Sequence, residues 1–297
     1  MKKELVVVQR NKFIRGDFSF LEVRDIKILK LLVSKVNATS KEFNDYYYFT
    51  KDEVRTFEFN ERNIHSYIKT SLRKLSSVFV IIKNDDKEEV EISLVGKIIY
   101  DKKNGIYKVP LSSDLKEYLL DIKKEFTKYK LENLINLKRK EEIKLYEYFK
   151  SISFEVFVVS IDNLKAIMEL NKKSFESFFN FHKKLKESIL TINTYTDIQI
   201  NFKILKVNKQ SKNIQFNIKR FEISKTSFLT IENLISKYSN KNIMLNNDLY
   251  TVKTLELSEG YVILSVYSKE LNLVGKLKFR NLEDCDGYLE KEIHPIK

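Results

Sequence analysis

The feature that most constrains this chain is a change of hydrophobic period that occurs twice. Apolar residues first recur at helical spacing, then gather into β-branched runs parted by turn residues. In the first round, residues 21–36 carry Ile26, Leu29, Leu32, Val33 and Val36 at helical spacing. Tyr46-Tyr47-Tyr48-Phe49 is a short extended piece, and Thr50-Lys51-Asp52-Glu53 is a capping box that opens a short helix. Asn60 can cap the next helix, which puts Ile64, Ile68, Leu72 and Leu75 on one face. Three β-rich runs follow at 78–82, 90–100 and 106–111, separated by Asn84-Asp85-Asp86-Lys87 and Asn104-Gly105. Ser112 starts another helix through Leu115, Leu119 and Leu120.

The second round has the same order. It runs from a helix at 137–152 to an extended piece at 154–160 and a short helix at 161–170 with Leu164, Ile167 and Met168 inward. A long helix at 174–193 comes next, and then a hairpin of 198–207 and 213–221 over Asn208-Lys209-Gln210-Ser211-Lys212. Three helices and a twisted hairpin make the pattern of a winged-helix domain. The chain is therefore expected to be α+β, with two tandem winged-helix (helix-turn-helix plus β-hairpin) domains at 1–121 and 122–222. Residues 223–297 are expected to form a small β-rich segment, with a helix at 228–238 and strands at 242–244, 249–257, 261–267 and 271–279. The two rounds share architecture without clear sequence identity.

Charge follows the same division. The chain has 54 Lys and Arg against 41 Asp and Glu, a net +13. Residues 223–297 are balanced at 10 and 10, so the entire excess lies in the first 222 residues. Segregated positive charge fits a polyanionic partner, although a lysine-rich solubilising surface produces it equally well. No run approaches the ~20 apolar residues of a membrane span, and the N-terminus is too short in apolar residues for a signal peptide. The single Cys285 excludes an internal disulfide framework and fits a reducing cytoplasm.

The helix at 173–193 carries the chemistry. On a wheel of ~100° per residue, Phe175, Phe178, Phe179, His182, Leu185, Ile189 and Ile192 fall on one side. Lys173, Ser177, Asn180, Lys184 and Glu187 fall on the other, flanked by Glu176 and Lys183. In a helix-turn-helix the apolar face seats the helix and the polar face enters the major groove, where Asn pairs with adenine and Lys with guanine or phosphate. Lys172, Lys173 and Ser174 stand at the helix start, where free N–H groups and cations meet a phosphate. Lys206, Lys209 and Lys212 on the hairpin suit a wing on the neighbouring backbone. Any amphipathic surface helix shows such a split. The short preceding helix, the tight connection and the basic hairpin favour DNA. The first half has a weaker equivalent in the helix at 61–75, with Arg62, Asn63, Lys69, Arg73 and Lys74 away from its apolar stripe.

These residues resemble one family. The most specific stretch is Leu94-Val95-Gly96-Lys97-Ile98-Ile99-Tyr100-Asp101, then Gly105-Ile106-Tyr107-Lys108-Val109 and Leu115-Lys116-Glu117-Tyr118-Leu119-Leu120. Phe126-Thr127-Lys128-Tyr129-Lys130-Leu131 and Leu145-Tyr146-Glu147-Tyr148-Phe149 continue it, and Phe181-His182-Lys183-Lys184-Leu185 and Ile214-Gln215-Phe216-Asn217-Ile218 extend it into the second half. Over about residues 5–222 the chain is similar to the iteron-binding plasmid replication initiators, Rep proteins with tandem winged-helix domains. The resemblance implies binding of origin direct repeats in double-stranded DNA, opening of adjacent AT-rich DNA, and recruitment of host initiation and helicase-loading proteins. It also implies a monomer–dimer equilibrium through the N-terminal domain, the dimer binding an inverted operator and repressing its own gene. By the same resemblance the second winged helix is the main reader, through Lys173, Ser177, Asn180 and Lys184. His182 departs from the basic residue more usual there and is expected in the core.

Enzymatic initiation has little support. A rolling-circle initiator needs a His-hydrophobe-His metal site, whereas His65, His182 and His294 are isolated. Gly96-Lys97 lacks the upstream glycine of a phosphate-binding loop. No cofactor, metal or membrane partner is expected. The alternative is a winged-helix transcriptional regulator with no replication role, which only the resemblance disfavours.

Overall fold

The computed structural model describes residues 5–57, 64–84, 88–170, 173–207, 210–221, 234, 237–238, 241–245, 248–258, 261–268, 273–279 and 282–292. Its internal contacts divide it into two units, Met1–Asn171 with Asn201–Ile218, and Lys172–Ile200 with Lys219–Lys297.

The first unit opens with β1 (Val6–Arg10), α1 (Asn11–Ile14) and α2 (Val23–Val33). β2 (Tyr47–Thr50) leads into α3 (Lys51–Arg55) through the expected capping box, in which Thr50 N donates to Glu53 and Glu53 N to Thr50 Oγ1. α4 (Ile64–Leu75) buries Ile64, Ile68, Leu72 and Leu75, the stripe that the spacing predicts. The run expected at 90–100 is broken in two. β3 (Phe79–Asn84) and β4 (Glu88–Ser93) form a hairpin of their own. β5 (Ile99–Asp101) instead joins β6 (Ile106–Val109) and β2 in a separate sheet of order β2–β6–β5. The crossing lies at Leu94 and Gly96. Leu94 accepts from Ser112 N (3.0 Å) and Gly96 N donates to Pro110 (3.0 Å). A Cβ on Gly96 would stand 3.2 Å from the Pro110 ring.

A 3-10 turn (Ser113–Leu115) and α5 (Lys116–Leu119) lead to β7 (Phe126–Lys130), which pairs antiparallel with β1 from Val6↔Lys130 to Arg10↔Phe126. The N-terminal strand is thus paired with the Phe-Thr-x-Tyr motif, a pairing that the sequence reading did not anticipate. α6 (Lys140–Ser151) follows, and its Glu147 is the hub of a buried polar cluster. Gln9 donates to Glu147 Oε1 (2.7 Å), Lys30 Nζ pairs with the same oxygen (2.7 Å), and Tyr129 OH also donates to it. Lys30 donates to Gln9 Oε1 as well (2.8 Å). Burial pushes the Lys30 ammonium below its ordinary value, against the pull of Glu147, and holds the Tyr129 phenol well above its own. Lys144 on the same helix donates to the carbonyls of Ile14 (3.1 Å) and Gly16 (2.8 Å).

β8 (Val156–Ser160) and α7 (Ile161–Ile167) follow, with Ser160 Oγ capping α7. Glu169 ends that turn at φ 53°, and its carboxylate accepts from Phe18 N (3.0 Å) and pairs with Lys140 (2.9 Å). β9 (Ile198–Val207) and β10 (Gln210–Arg220) form the second hairpin in a sheet of order β8–β10–β9. Phe216 of β10 lies opposite Phe157 of β8, and their rings, with Phe149 of α6, form the apolar filling under this sheet.

The second unit contains α8 (Phe178–Tyr195) and the C-terminal segment. There, β11 (Asn242–Leu245), β12 (Asp248–Ser258), β13 (Tyr261–Tyr267) and β14 (Leu273–Phe279) form an antiparallel meander close to the expected bounds. The sequence reading missed α9 (Leu282–Glu292), which seals the meander with Cys285 and Leu289, both buried beside Val252, Val262 and Leu264. Their spacing of four was the available signal. Gly287 inside the helix and the acidic neighbours Asp284 and Asp286 obscured it. Of the helix expected at 228–238, all but Leu234, Lys237 and Tyr238 lies outside the described residues.

Candidate nucleic-acid interface

The long helix does not begin where the spacing predicts. Lys173–Phe175 is a 3-10 turn, Ser177 is extended at ψ 124°, and α8 starts at Phe178. Asn180 explains the break. Its side-chain amide donates to Ser174 O at 2.8 Å, and so takes a carbonyl that a continuous helix would pair with a backbone N–H. The other end of α8 is fixed by Asn193, which brackets Ile200 of β9 by donating to its carbonyl (2.9 Å) and accepting from its N–H (2.7 Å).

Burial shows which side of α8 is seated. Phe181, Leu185, Ser188 and Ile192 are each fully buried. They recur at i, i+4, i+7 and i+11, within ~60° of one another on the wheel. The apolar arc expected from Phe175, Phe178, Phe179, His182, Leu185, Ile189 and Ile192 is centred ~60–80° away, so the helix is turned by about that angle relative to expectation. Three consequences follow. Phe179, expected inside, is 73% exposed. Lys183, expected on the flank, is exposed on the side opposite the seat, whereas Lys184 lies beside the seat and is half-buried. His182, expected in the core, is also half-buried, its ring stacked on Phe178 with centroids 5.7 Å apart. Desolvation, and then the neighbouring Lys186, push the His182 pKa below its ordinary value, so the ring is neutral at pH 7. The reason for the turn is visible in the sequence. The seated stripe contains Ser188, a polar residue that breaks the apolar pattern, and the ring-rich arc drew the wheel away from it.

Lys173, Ser174 and Ser177 are exposed ahead of α8, and Asn180 is exposed within its first turn although its amide is engaged with Ser174. The later half of α8 is closed on this side, since Leu190, about two turns beyond Lys183, is buried. Only the first two turns therefore present an open face, and it carries Phe179 and Lys183. On the second hairpin Lys206 and Lys212 are exposed, as is Lys203, which the sequence reading passed over. Lys172 and Lys209 lie outside the described residues.

In the first unit, α4 exposes Lys69 and Arg73, one turn apart, with Ser66 and Thr70. Lys74 is turned aside. It lies 3.7 Å from Asp25 and 3.9 Å from Glu22, the acidic residues at the N-terminus of α2. Arg62 and Asn63 lie outside the described residues. His65, at the start of α4, packs on Tyr100 and hydrogen-bonds with Tyr107 OH. Burial and the neighbouring Tyr100 raise that phenol to about 12. Among the described residues, no group of His, Cys, Asp or Glu is arranged to hold a metal ion, and no helix is long and apolar enough to cross a membrane.

Residues 6–150 match the family described as Initiator Replication protein, WH1. Among solved structures, the chain is similar to the Pi initiator protein in complex with iteron DNA, with a TM-score of 0.65 and 15% identity over 75% of this chain and 100% of that one. It also aligns with domains 2–3 of RctB, with a TM-score of 0.38 and 10% identity over 66% of this chain and 80% of that one. No curated protein sequence matches the chain. The first likeness establishes the fold as two winged-helix domains in tandem, followed by a strand-rich C-terminal region.

Proposed function

We propose that this chain is a plasmid replication initiator binding direct repeats in double-stranded DNA, from the match of residues 6–150 to the initiator replication protein family. That match is the observation that carries the proposal. The first two turns of α8 support it as the main reader, with Lys183, Asn180 and Ser177 toward base edges and Lys173 and Ser174 toward a phosphate. Lys203, Lys206 and Lys212 of the second hairpin serve as a wing that contacts the phosphate backbone. Lys69 and Arg73 of α4 serve the first domain in a second, weaker contact. The likeness to an initiator solved with iteron DNA supports the same reading. In this account residues 1–121 and 122–222 are the two reading domains and 223–297 an accessory module.

The protein acts by binding rather than by covalent chemistry, and works in the cytoplasm. It assembles on repeats, promotes opening of adjacent AT-rich DNA, and brings host initiation and helicase-loading proteins to the opened region. A dimeric form represses its own gene at an inverted operator.

A replicon assay tests the proposal. The coding sequence with its flanking DNA is joined to a selectable marker that lacks an origin. Stable maintenance, lost when Lys183 and Lys173 are both changed to alanine, is the expected result. Failure to replicate together with intact repression of its own promoter would instead identify a transcriptional regulator.

A further inference from the structure

The open face of α8 contains a large apolar side chain that a solvated helix has no reason to present. Phe179 is 73% exposed, the largest exposure among the large hydrophobic residues of the described structure. It lies ~160° around the helix from the fully buried Phe181, so it points almost directly away from the seat. Lys183 follows it by one turn and is exposed beside it, and Asn180 is its immediate exposed neighbour. Two turns further, Leu190 is buried, which confines the open face to the part of the helix that bears Phe179.

We infer that Phe179 is a specificity-determining residue, whose ring packs on the C5-methyl group of a thymine in the major groove. The inference rests on the proposal that α8 reads duplex DNA. The first turns of a helix lying in the major groove meet base edges, and thymine is the base that presents a methyl group there. A phenyl ring gains from covering that methyl and makes no hydrogen bond that would favour another base at the position. Charge argues for this occupant. The ring is flanked by Lys183 and preceded by Lys173 and Ser174, and the chain's whole excess of +13 lies in its first 222 residues. An apolar protein surface would gain nothing from that cationic surround. The cytosine that replaces thymine in a mismatched site has no methyl to cover, so Phe179 adds a preference that Asn180 and Lys183 cannot supply.

The test uses the full-length chain and a duplex that the chain selects from a random-sequence library. Each thymine in the selected site is replaced in turn by deoxyuridine, which lacks only the methyl. For the wild type, binding should fall about fourfold at one thymine, the worth of one buried methyl. Phe179→Ala should bind the thymine duplex more weakly than wild type and show no further loss at that position, while Phe179→Leu keeps part of the sensitivity. Because the side chain is exposed, Phe179→Ala should unfold at the wild-type temperature, which separates lost contact from lost fold. If Phe179→Ala retains the wild-type deoxyuridine profile, or if no deoxyuridine weakens the wild type, the inference is overturned while the DNA-reading role of α8 stands, and the ring belongs to a protein contact instead. If the library yields no preferred sequence, the proposal that α8 reads DNA fails, and the inference fails with it.

Discussion

Glu147 shows what single side chains do in this fold. It lies within a motif that the sequence singles out by family resemblance alone, Leu145-Tyr146-Glu147, and its structural work is to accept from Gln9, Lys30 and Tyr129 in the interior. The sequence shows a glutamate at helical spacing and cannot show that its partners stand 138, 117 and 18 residues away. Removing it leaves a buried ammonium without its counter-charge. Glu147→Ala should therefore lower unfolding free energy by about 3–5 kcal/mol in denaturant titration, and adding Lys30→Met should return part of the loss, since a buried pair costs desolvation that an apolar pair avoids. Equal stability of wild type and Glu147→Ala would contradict the hub role. His182 makes a second prediction at this scale. Its folded pKa is below the ordinary 6.5, so as pH falls through 6.5 the unfolded chain takes the proton first. The histidine's contribution is thus intact above pH 6.5 and lost below it. Thermal unfolding between pH 7.5 and 5.5 should decline less steeply for His182→Gln than for wild type, and parallel declines would show that the ring is not desolvated.

At the scale of elements, the sequence was informative about kind and order and less so about orientation. The capping box at Thr50, the stripe of α4 and the four strands of the C-terminal meander were all legible, because each depends on residues close in sequence. The split of the run at 90–100 into β4 and β5 was not, since it follows from Gly96 meeting Pro110 across a crossing of two sheets. The rotation of α8 escaped for the same reason. Which of several apolar residues is seated depends on what packs over them, and the seated stripe includes Ser188. That rotation changes the ranking of the lysines. Lys183→Ala should cost specific binding about 1–3 kcal/mol, and Lys184→Ala, beside the seat and half-buried, should cost it less. The reverse order in fluorescence anisotropy would place the groove-facing side where the simple wheel put it. Lys206→Ala and Lys212→Ala on the second hairpin should each reduce the slope of log affinity against log salt by about one, and an unchanged slope would remove the hairpin from the phosphate backbone.

For the whole molecule, the net positive charge lies in residues 1–222, while the C-terminal segment is neutral and its meander fills a core of its own. A chain lacking residues 223–297 should retain most of its affinity for the repeats, and a folded truncation that cannot bind would assign the tail to DNA reading. The tandem fold was legible from the repeated change of period, and the family resemblance from motifs whose physical purpose only the packed interior explains. The arrangement of sites on DNA follows from neither, yet it separates an initiator from a regulator. The most direct measurement is nuclease footprinting of the full-length chain on the DNA flanking its own gene. Two reading domains in tandem predict several protected direct repeats of about two helical turns (~20 base pairs) each, in one orientation and beside an AT-rich block that becomes reactive to single-strand probes. Protection of a single inverted repeat, with no repeated array and no opened segment, would contradict the account.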